Sequence, residues 1–218
     1  GRAVSGALVR AGYDVTALSL SYASPHPADR VLTGDTTSVA DVAAALDGAD
    51  AVAHFAAIPH PTLGTPYEVF RVNTDSTFNV LQQAGERGIR RAVIASSINA
   101  LGYPNNLHRA FPPSFPLRED TAPDVADAYS LSKGVDEQTA RYAHRRYGID
   151  VVALRFPLVK WPEVLRGAAA EVAADPASMA REGWAYLTMA DAARAVLRAL
   201  EADISGVLVA GLSADDIL

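Results

Sequence analysis

The sequence predicts an α/β protein in which helices cover both faces of a doubly wound parallel sheet. Two observations lead to this prediction. Short apolar segments typical of buried strands alternate with segments of helical spacing, and three of the predicted helices end at glycines, Gly12, Gly88 and Gly148. Strands separated by helices pair in parallel and need helices on both faces. Such sheets bind ligands beyond the carboxyl ends of their strands.

The elements can be placed in chain order. Helices are predicted over 2–11, behind the capping pair Ser38 and Asp41, over 67–86 and 129–147, and near 162–174 and 190–201. Strands are predicted over 14–20, 30–34, 50–56, 91–96 and 150–156, and near 185–187 and 206–210. Residues 101–127 are rich in proline and asparagine and predict a long loop, which in a compact domain is usually functional or disordered.

Composition excludes several functions. The 218 residues carry a formal net charge of −6, so no basic field exists to gather nucleic acid. The chain has no cysteine, which excludes disulfides, zinc–thiolate sites and cysteine nucleophiles, and none of its five histidines has metal-ligand spacing. No apolar run reaches membrane-spanning length and the start lacks a signal-peptide pattern, so no membrane partner and a cytoplasmic location are expected.

Tyr129 and Lys133 form the strongest candidate for chemistry. They lie four residues apart in YSLSK at the start of a predicted helix, which puts both side chains on one face. A free tyrosine has a pKa near 10, and a neighbouring ammonium stabilises the phenolate and lowers that value. The phenolate can take a proton from an alcohol while hydride leaves the carbon of that alcohol. Alone, the same spacing also fits an ordinary pair on a helix surface.

Ser96 and Ser97 end a buried strand about thirty residues earlier. A hydroxyl there can point into the site and hold the reacting oxygen. Alone, both serines could equally satisfy backbone groups at the end of the strand.

Gly1 opens a helix that leads into the strand at 14–20, as the last glycine of a dinucleotide-binding turn does. The N-terminus of that helix would face a pyrophosphate. The earlier glycines and the preceding strand are not in the sequence, so a first strand is expected to be missing from this chain.

Taken together in order, these segments resemble the extended short-chain dehydrogenases, the NAD-dependent epimerase/dehydratase group acting mainly on sugars and sugar nucleotides. The resemblance runs from Gly1 to about residue 210. It depends on Gly1, GD at 34–35, AHFAA at 53–57, VNTDSTFNVL around Asn73, ASSINALGY around Ser97, YSLSK at 129–133 and LRFP at 154–157.

The resemblance implies a Rossmann-like dinucleotide-binding domain over 1–156. It also implies a small substrate-binding region over 157–218, interleaved with the last elements of the sheet. Tyr129 is the implied acid/base, Lys133 binds the nicotinamide ribose and tunes the tyrosine, and Ser97 orients the substrate. The implied cofactor contacts are Gly1, Arg2, Ser19, Asp35, Phe55, Ala56, Ala57, Asn73, Ser96, Lys133 and Phe156.

Two departures from the family pattern matter. NAD-preferring members usually carry an acid at the end of the second strand, where this chain has Ser19, and no arginine at that place could receive a 2′-phosphate. NAD is the expected cofactor and NADP stays open. The 4,6-dehydratases carry an Asp-Glu pair where this chain has Ile98 and Asn99, which discounts dehydration.

The substrate pocket is less well defined. His60 and Asn99 are candidate substrate contacts beside Ser97 and Tyr129, although His60 could merely cap a loop and Asn99 could belong to a turn. A sugar-like alcohol or carbonyl compound is the expected substrate.

Three functions compete: a dehydrogenase, a nucleotide-sugar epimerase using the same residues, and a non-catalytic dinucleotide sensor or scaffold. Only about sixty residues follow Pro157, with five basic groups, which favours a small unactivated substrate over a diphosphate. The helices beginning near Tyr67 and Tyr129 are the pair that family members bury in a homodimer, so a homodimer is expected.

Overall fold

The computed structural model describes the whole chain from Gly1 to Leu218. Its helices are α1 (Arg2–Arg10), α2 (Val39–Ala45), α3 (Pro66–Glu86), α4 (Ala128–Tyr147), α5 (Pro162–Ala174) and α6 (Met189–Glu201). Its strands are β1 (Thr16–Ser19), β2 (Arg30–Thr33), β3 (Ala51–His54), β4 (Arg91–Ser97), β5 (Asp150–Phe156), β6 (Leu158–Lys160), β7 (Tyr186–Thr188) and β8 (Val207–Gly211). The predicted α/β class and the predicted order of elements are confirmed. The short strand β6 was not predicted.

All strand pairs are parallel, but the strands form three pieces. Strands β3, β4, β5 and β8 make a four-stranded sheet in that order, while β1 pairs with β2 and β6 with β7. Strand β8 returns to the main sheet from the last residues of the chain, so the C-terminal region is interleaved with it.

Two apolar layers show that the main sheet is covered on both faces. Ala92 and Ile94 of β4 pack in one cluster with α2, α3 and α4, whereas Val93 packs in the other with α1 and α6. Val151 and Val152 of β5 divide in the same way. Successive side chains of a strand point to opposite faces, so these near-continuous apolar strands suit a sheet buried on both sides.

Helix ends are fixed by the caps that the sequence offers. Ser38 accepts the Asp41 N–H at 3.3 Å, as its capping role predicts, but the Asp41 carboxylate accepts the Asp35 N–H at 2.8 Å. Thr65 and Glu68 form a complete capping box at the start of α3.

Strands β1 and β3 are not hydrogen-bonded to each other. A cavity of about 1060 Å³ lies between and above them, lined by apolar side chains such as Leu18, Val52 and Val42. The missing first strand stays a prediction, because it concerns residues that this sequence does not contain.

Candidate active site

Helix α4 presents the predicted acid/base at its first turn. The N-cap residue Asp127 accepts the backbone N–H groups of Tyr129 and Ser130, both at 2.9 Å, and so fixes where the helix begins. Tyr129 is 7% exposed, and its hydroxyl donates no hydrogen bond within the chain. That hydroxyl is therefore available to a ligand.

Lys133 lies one turn further along the buried face of α4. Its ammonium donates to the Ala95 carbonyl oxygen at 3.0 Å and to Asp136 Oδ2 at 3.1 Å, and lies 5.9 Å from the centre of the Tyr129 ring. The bond to Ala95 ties α4 to strand β4 two residues before Ser97. The structure therefore brings the predicted Tyr129, Lys133 and Ser97 into one region.

Asp136 was missed by the sequence analysis. It is almost fully buried, and its Oδ1 atom has no hydrogen-bond partner. Burial raises the pKa of the Asp136 carboxyl, and the neighbouring Lys133 ammonium opposes that rise. The Lys133 ammonium thus has the Asp136 carboxylate and the Tyr129 ring as its two side-chain neighbours.

Ser97 is held ready to donate a hydrogen bond. Its Oγ accepts both the backbone N–H and the side-chain amide of Asn99, each at 3.1 Å. Because a hydroxyl has one donor and two acceptor sites, these contacts leave its proton for another oxygen. Asn105 in turn donates to Asn99 Oδ1 at 2.9 Å, so the Asn99 amide is engaged within the chain.

A buried ion pair lies behind these groups. Arg155 of β5 donates from Nε and Nη2 to the two carboxylate oxygens of Glu137, at 2.8 and 2.9 Å. Ser96 donates to the same carboxylate at 2.7 Å. Ser96 is therefore engaged beneath the site, and its predicted contact with the cofactor stays a prediction.

The spacing could have revealed Glu137, because it follows Lys133 by four residues and Tyr129 by eight. Those three positions lie on one helical face. Only Tyr129 and Lys133 were predicted to be functional.

The long predicted loop is folded against the site. The Tyr103 hydroxyl donates to the Ala122 carbonyl at 2.7 Å, and the Asn106 amide donates to the Asp124 carbonyl at 2.8 Å. Gly102 has φ +84°, and a Cβ there would lie 2.2 Å from the Asp124 carbonyl oxygen. Only glycine fits that position, which explains how the segment closes back on itself.

Several of the predicted cofactor contacts line one cavity. Gly1, Arg2, Ser19, Phe55 and Ala56 all border the 1060 Å³ space beside β1 and β3. The Phe55 ring lies 6.3 Å from that of Phe156, at the carboxyl ends of β3 and β5. These two rings connect the cavity with the end of the sheet where Ser97 lies.

Three other predicted residues have structural roles in the chain. Asn73 is fully buried, exchanges hydrogen bonds with the Ile58 backbone at 2.7 and 3.1 Å, and donates to Ser132. Asp35 accepts the Thr37 N–H at 2.8 Å, and His60 accepts the Thr62 N–H at 3.3 Å as the cap of a short 3₁₀ turn. Their ligand contacts stay predictions, as does that of Ala57.

The residues present fit a dinucleotide. The first turn of α1 leaves backbone N–H groups free at the cavity, where a helix N-terminus favours an anion such as a pyrophosphate. The rings of Phe55 and Phe156 and the free hydroxyl of Tyr129 lie towards the carboxyl ends of β3, β4 and β5. No group of three or more metal-binding side chains is present, and no helix is both long and apolar enough to span a membrane.

His54 gives the protein a measurable pH dependence. Burial, with a smaller contribution from the Lys133 charge, lowers the pKa of His54 to about 3. The unfolded chain takes up this proton below about pH 6.5, whereas the folded chain does not. Stability therefore falls as pH drops from about 6.5 towards 3. Linkage gives a loss of about 2 kcal/mol between pH 7.5 and pH 5 from this residue.

We expect His54→Leu to remove that part of the pH dependence, measured as the free energy of unfolding in urea at pH 7.5 and pH 5. His108→Gln, which changes an exposed histidine, should behave as wild type. An unchanged pH dependence in His54→Leu would mean that His54 is charged in the folded protein.

The fold and the site together place a tyrosine, a lysine and a serine near the carboxyl edge of a parallel sheet covered by helices on both faces. Comparison with known families agrees: the model of the NAD-dependent epimerase/dehydratase family matches residues 1–211. The chain belongs to that family, whose members are NAD-dependent enzymes.

Individual relatives are more distant. The chain is 31% identical over 134 residues to uronate dehydrogenase of Pseudomonas putida strain KT2440, a match covering 61% of this chain and 46% of that enzyme. It is 29% identical over 187 residues to L-arabinose 1-dehydrogenase (NAD(P)(+)) of Haloferax volcanii, covering 79% and 69%. The first relative is thus matched over less than half of its length.

Among solved structures, UDP-glucose 4-epimerase from Brucella ovis in complex with NAD matches with a TM-score of 0.78 at 19% identity. That match covers 98% of this chain and 74% of the epimerase. At that identity the likeness supports the fold, and the predicted Rossmann-like architecture is confirmed.

Proposed function

We propose that this chain carries the catalytic group of an NAD(P)-dependent dehydrogenase acting on a small sugar-like alcohol, such as a free aldose or a uronic acid. The observation that carries the proposal is the placement of Tyr129, Lys133 and Ser97. They lie at the edge of the sheet where the rings of Phe55 and Phe156 approach each other. Phe55 also borders the cavity lined by Gly1, Arg2 and Ser19, which are three of the predicted dinucleotide contacts.

Each residue has a defined part in the reaction. The Ser97 proton, left free by the two bonds from Asn99, is donated to the substrate oxygen. The Lys133 ammonium stabilises the phenolate of Tyr129, and that phenolate accepts the proton of the substrate hydroxyl and becomes the neutral phenol. The bound nicotinamide supplies the hydride acceptor. Residues 1–156 bind the dinucleotide and 157–218 contribute the substrate region.

The charges of the C-terminal region favour a small substrate. Of its basic side chains, Arg194 pairs with Asp191 at 2.8 Å and Arg198 with Glu201 at 3.3 Å. These pairs leave few cations to hold the diphosphate of a nucleotide sugar. Relatives that carry the names uronate dehydrogenase and L-arabinose 1-dehydrogenase support the same choice. A cytoplasmic location is part of this proposal, because that compartment supplies the dinucleotide.

A panel of substrates tests the proposal. The protein is incubated with NAD⁺ or NADP⁺ and with one sugar at a time: galacturonate, glucuronate, arabinose or galactose. Formation of the reduced cofactor is followed by its absorbance at 340 nm. We expect reduction with at least one free sugar. Conversion of UDP-galactose without net reduction, seen by NMR, would instead make the chain an epimerase. Dinucleotide binding without turnover of any sugar would make it a sensor or scaffold.

We also propose a homodimer formed by α3 and α4. Their outer faces expose Tyr67, Phe78, Leu131 and Tyr142, and the rings of Phe78 and Tyr142 stack across the two helices at 5.9 Å. Exposed apolar side chains shared by two packed helices are typical of an interface.

We expect Phe78→Glu to convert the dimer into a monomer, measured by light scattering after size exclusion. Val164→Glu, which changes an exposed apolar residue on α5, is the matched control. A wild-type monomer, or a Phe78→Glu variant that stays dimeric, would contradict this interface.

A further inference from the structure

The end of strand β1 carries a cluster whose chemistry differs from that expected for an NAD-specific enzyme. Residues 20–26, which follow the strand, contain no aspartate or glutamate. Arg2, on the first turn of α1, reaches across to this segment, and its Nη1 donates to Ser24 Oγ at 2.7 Å. No arginine was expected at this place, because Arg2 and Ser24 lie 22 positions apart in the sequence.

The surroundings of Arg2 favour an anion. Ser19, Ser21, Ser24 and His26 line the same cavity as Arg2 and Gly1. Burial and the Arg2 charge lower the pKa of His26, which agrees with the proximity of the two side chains. The neighbouring acid Asp29 uses Oδ2 to accept the Val15 N–H at 2.8 Å and so is engaged by the backbone. The cluster therefore offers a guanidinium and several hydroxyls.

This position matters for cofactor choice. In dinucleotide-binding folds an acid near the second strand of the fold hydrogen-bonds the ribose 2′-hydroxyl of NAD, whereas an arginine accommodates the 2′-phosphate of NADP. Strand β1, which ends at Ser19, takes the place of that second strand in this chain. Guanidinium groups match phosphate geometry with two parallel hydrogen bonds. A carboxylate at Ser19 would repel that phosphate, and this chain has a hydroxyl there instead.

We propose that Arg2, with the Ser21 and Ser24 hydroxyls, forms a subsite for a phosphate ester on the adenosine ribose, so that the chain binds NADP⁺ at least as tightly as NAD⁺. This inference rests on the proposed function, since it assumes that a dinucleotide occupies the cavity. The likeness to an L-arabinose 1-dehydrogenase named for both dinucleotides is consistent with it.

Calorimetric titration with NAD⁺, NADP⁺, ADP and 2′,5′-ADP tests the proposal without any turnover. We expect Arg2→Gln to lower the affinity for NADP⁺ and 2′,5′-ADP at least about tenfold, because charged hydrogen bonds are lost. The affinities for NAD⁺ and ADP should stay within about twofold of the wild-type values. Ser19→Asp should reverse the preference towards NAD⁺. Arg10→Gln, which removes an arginine from the other end of α1, is the matched control.

Two results would overturn the subsite. One is wild-type protein whose affinity for NADP⁺ is lower than its affinity for NAD⁺ by more than the error of the titration. The other is an Arg2→Gln variant that loses affinity for NAD⁺ and NADP⁺ to the same extent, which would place Arg2 at the pyrophosphate. Both leave the proposed function standing, whereas failure of all four ligands to bind wild-type protein would overturn the two proposals together.

Discussion

Replacing Tyr129 with phenylalanine is expected to lower kcat by about 100-fold to 10,000-fold, the range that general acid–base catalysis supplies. The variant loses only the hydroxyl. Since that hydroxyl donates no hydrogen bond within the chain, folding should be little affected. Steady-state rates at saturating sugar and cofactor report the loss of catalysis. Calorimetric titration with the dinucleotide reports whether binding is lost as well.

Tyr142→Phe is the matched control, because Tyr142 lies on the same helix and its hydroxyl only donates to Gln82 Oε1 at 3.0 Å on the surface. It should keep wild-type turnover. Full activity in Tyr129→Phe would show that another group moves the proton and that the site has been wrongly assigned.

The second large effect concerns stability. Breaking the pair between Glu137 and Arg155 is expected to cost about 3–5 kcal/mol, because either single change leaves an uncompensated charge in the core. Both side chains are at most 10% exposed, and Arg155 also donates to the Glu119 carbonyl at 3.0 Å. Glu137→Leu should therefore unfold at much lower urea concentration than wild type.

A double-mutant design makes this test specific. Glu137→Leu combined with Arg155→Leu should recover much of the lost stability, since removing both charges leaves neither unpaired. Arg71→Gln breaks an ion pair on α3 that is about half exposed, and should cost less than about 1 kcal/mol. If the double variant were as unstable as the sum of the single variants, the pair would not be the source of the loss.

Local patterns in the sequence were sufficient to place the three candidate catalytic residues on their elements. The spacing of Tyr129 and Lys133 follows from helix periodicity, and the position of Ser97 follows from the end of an apolar strand. Each of these patterns involves residues that lie only a few positions apart in the sequence. The alternation of elements likewise predicted the parallel sheet and the helices on its two faces.

Contacts between distant residues could not be predicted in the same way. The bond from Arg2 to Ser24 depends on how the first turn of α1 lies beside the segment after β1, and the pairing of Glu137 with Arg155 depends on how α4 packs on β5. The division of the strands into three separate pieces was not predicted either.

Binding of the dinucleotide is the most direct test of the central claim. Calorimetric titration of the wild-type chain with NAD⁺, NADH, NADP⁺ and NADPH should give saturable binding of at least one redox pair, and Lys133→Met should weaken it. That result would support a hydride-transfer enzyme built around Tyr129. Absence of binding for all four dinucleotides would contradict the account and favour a protein that keeps the fold without its chemistry.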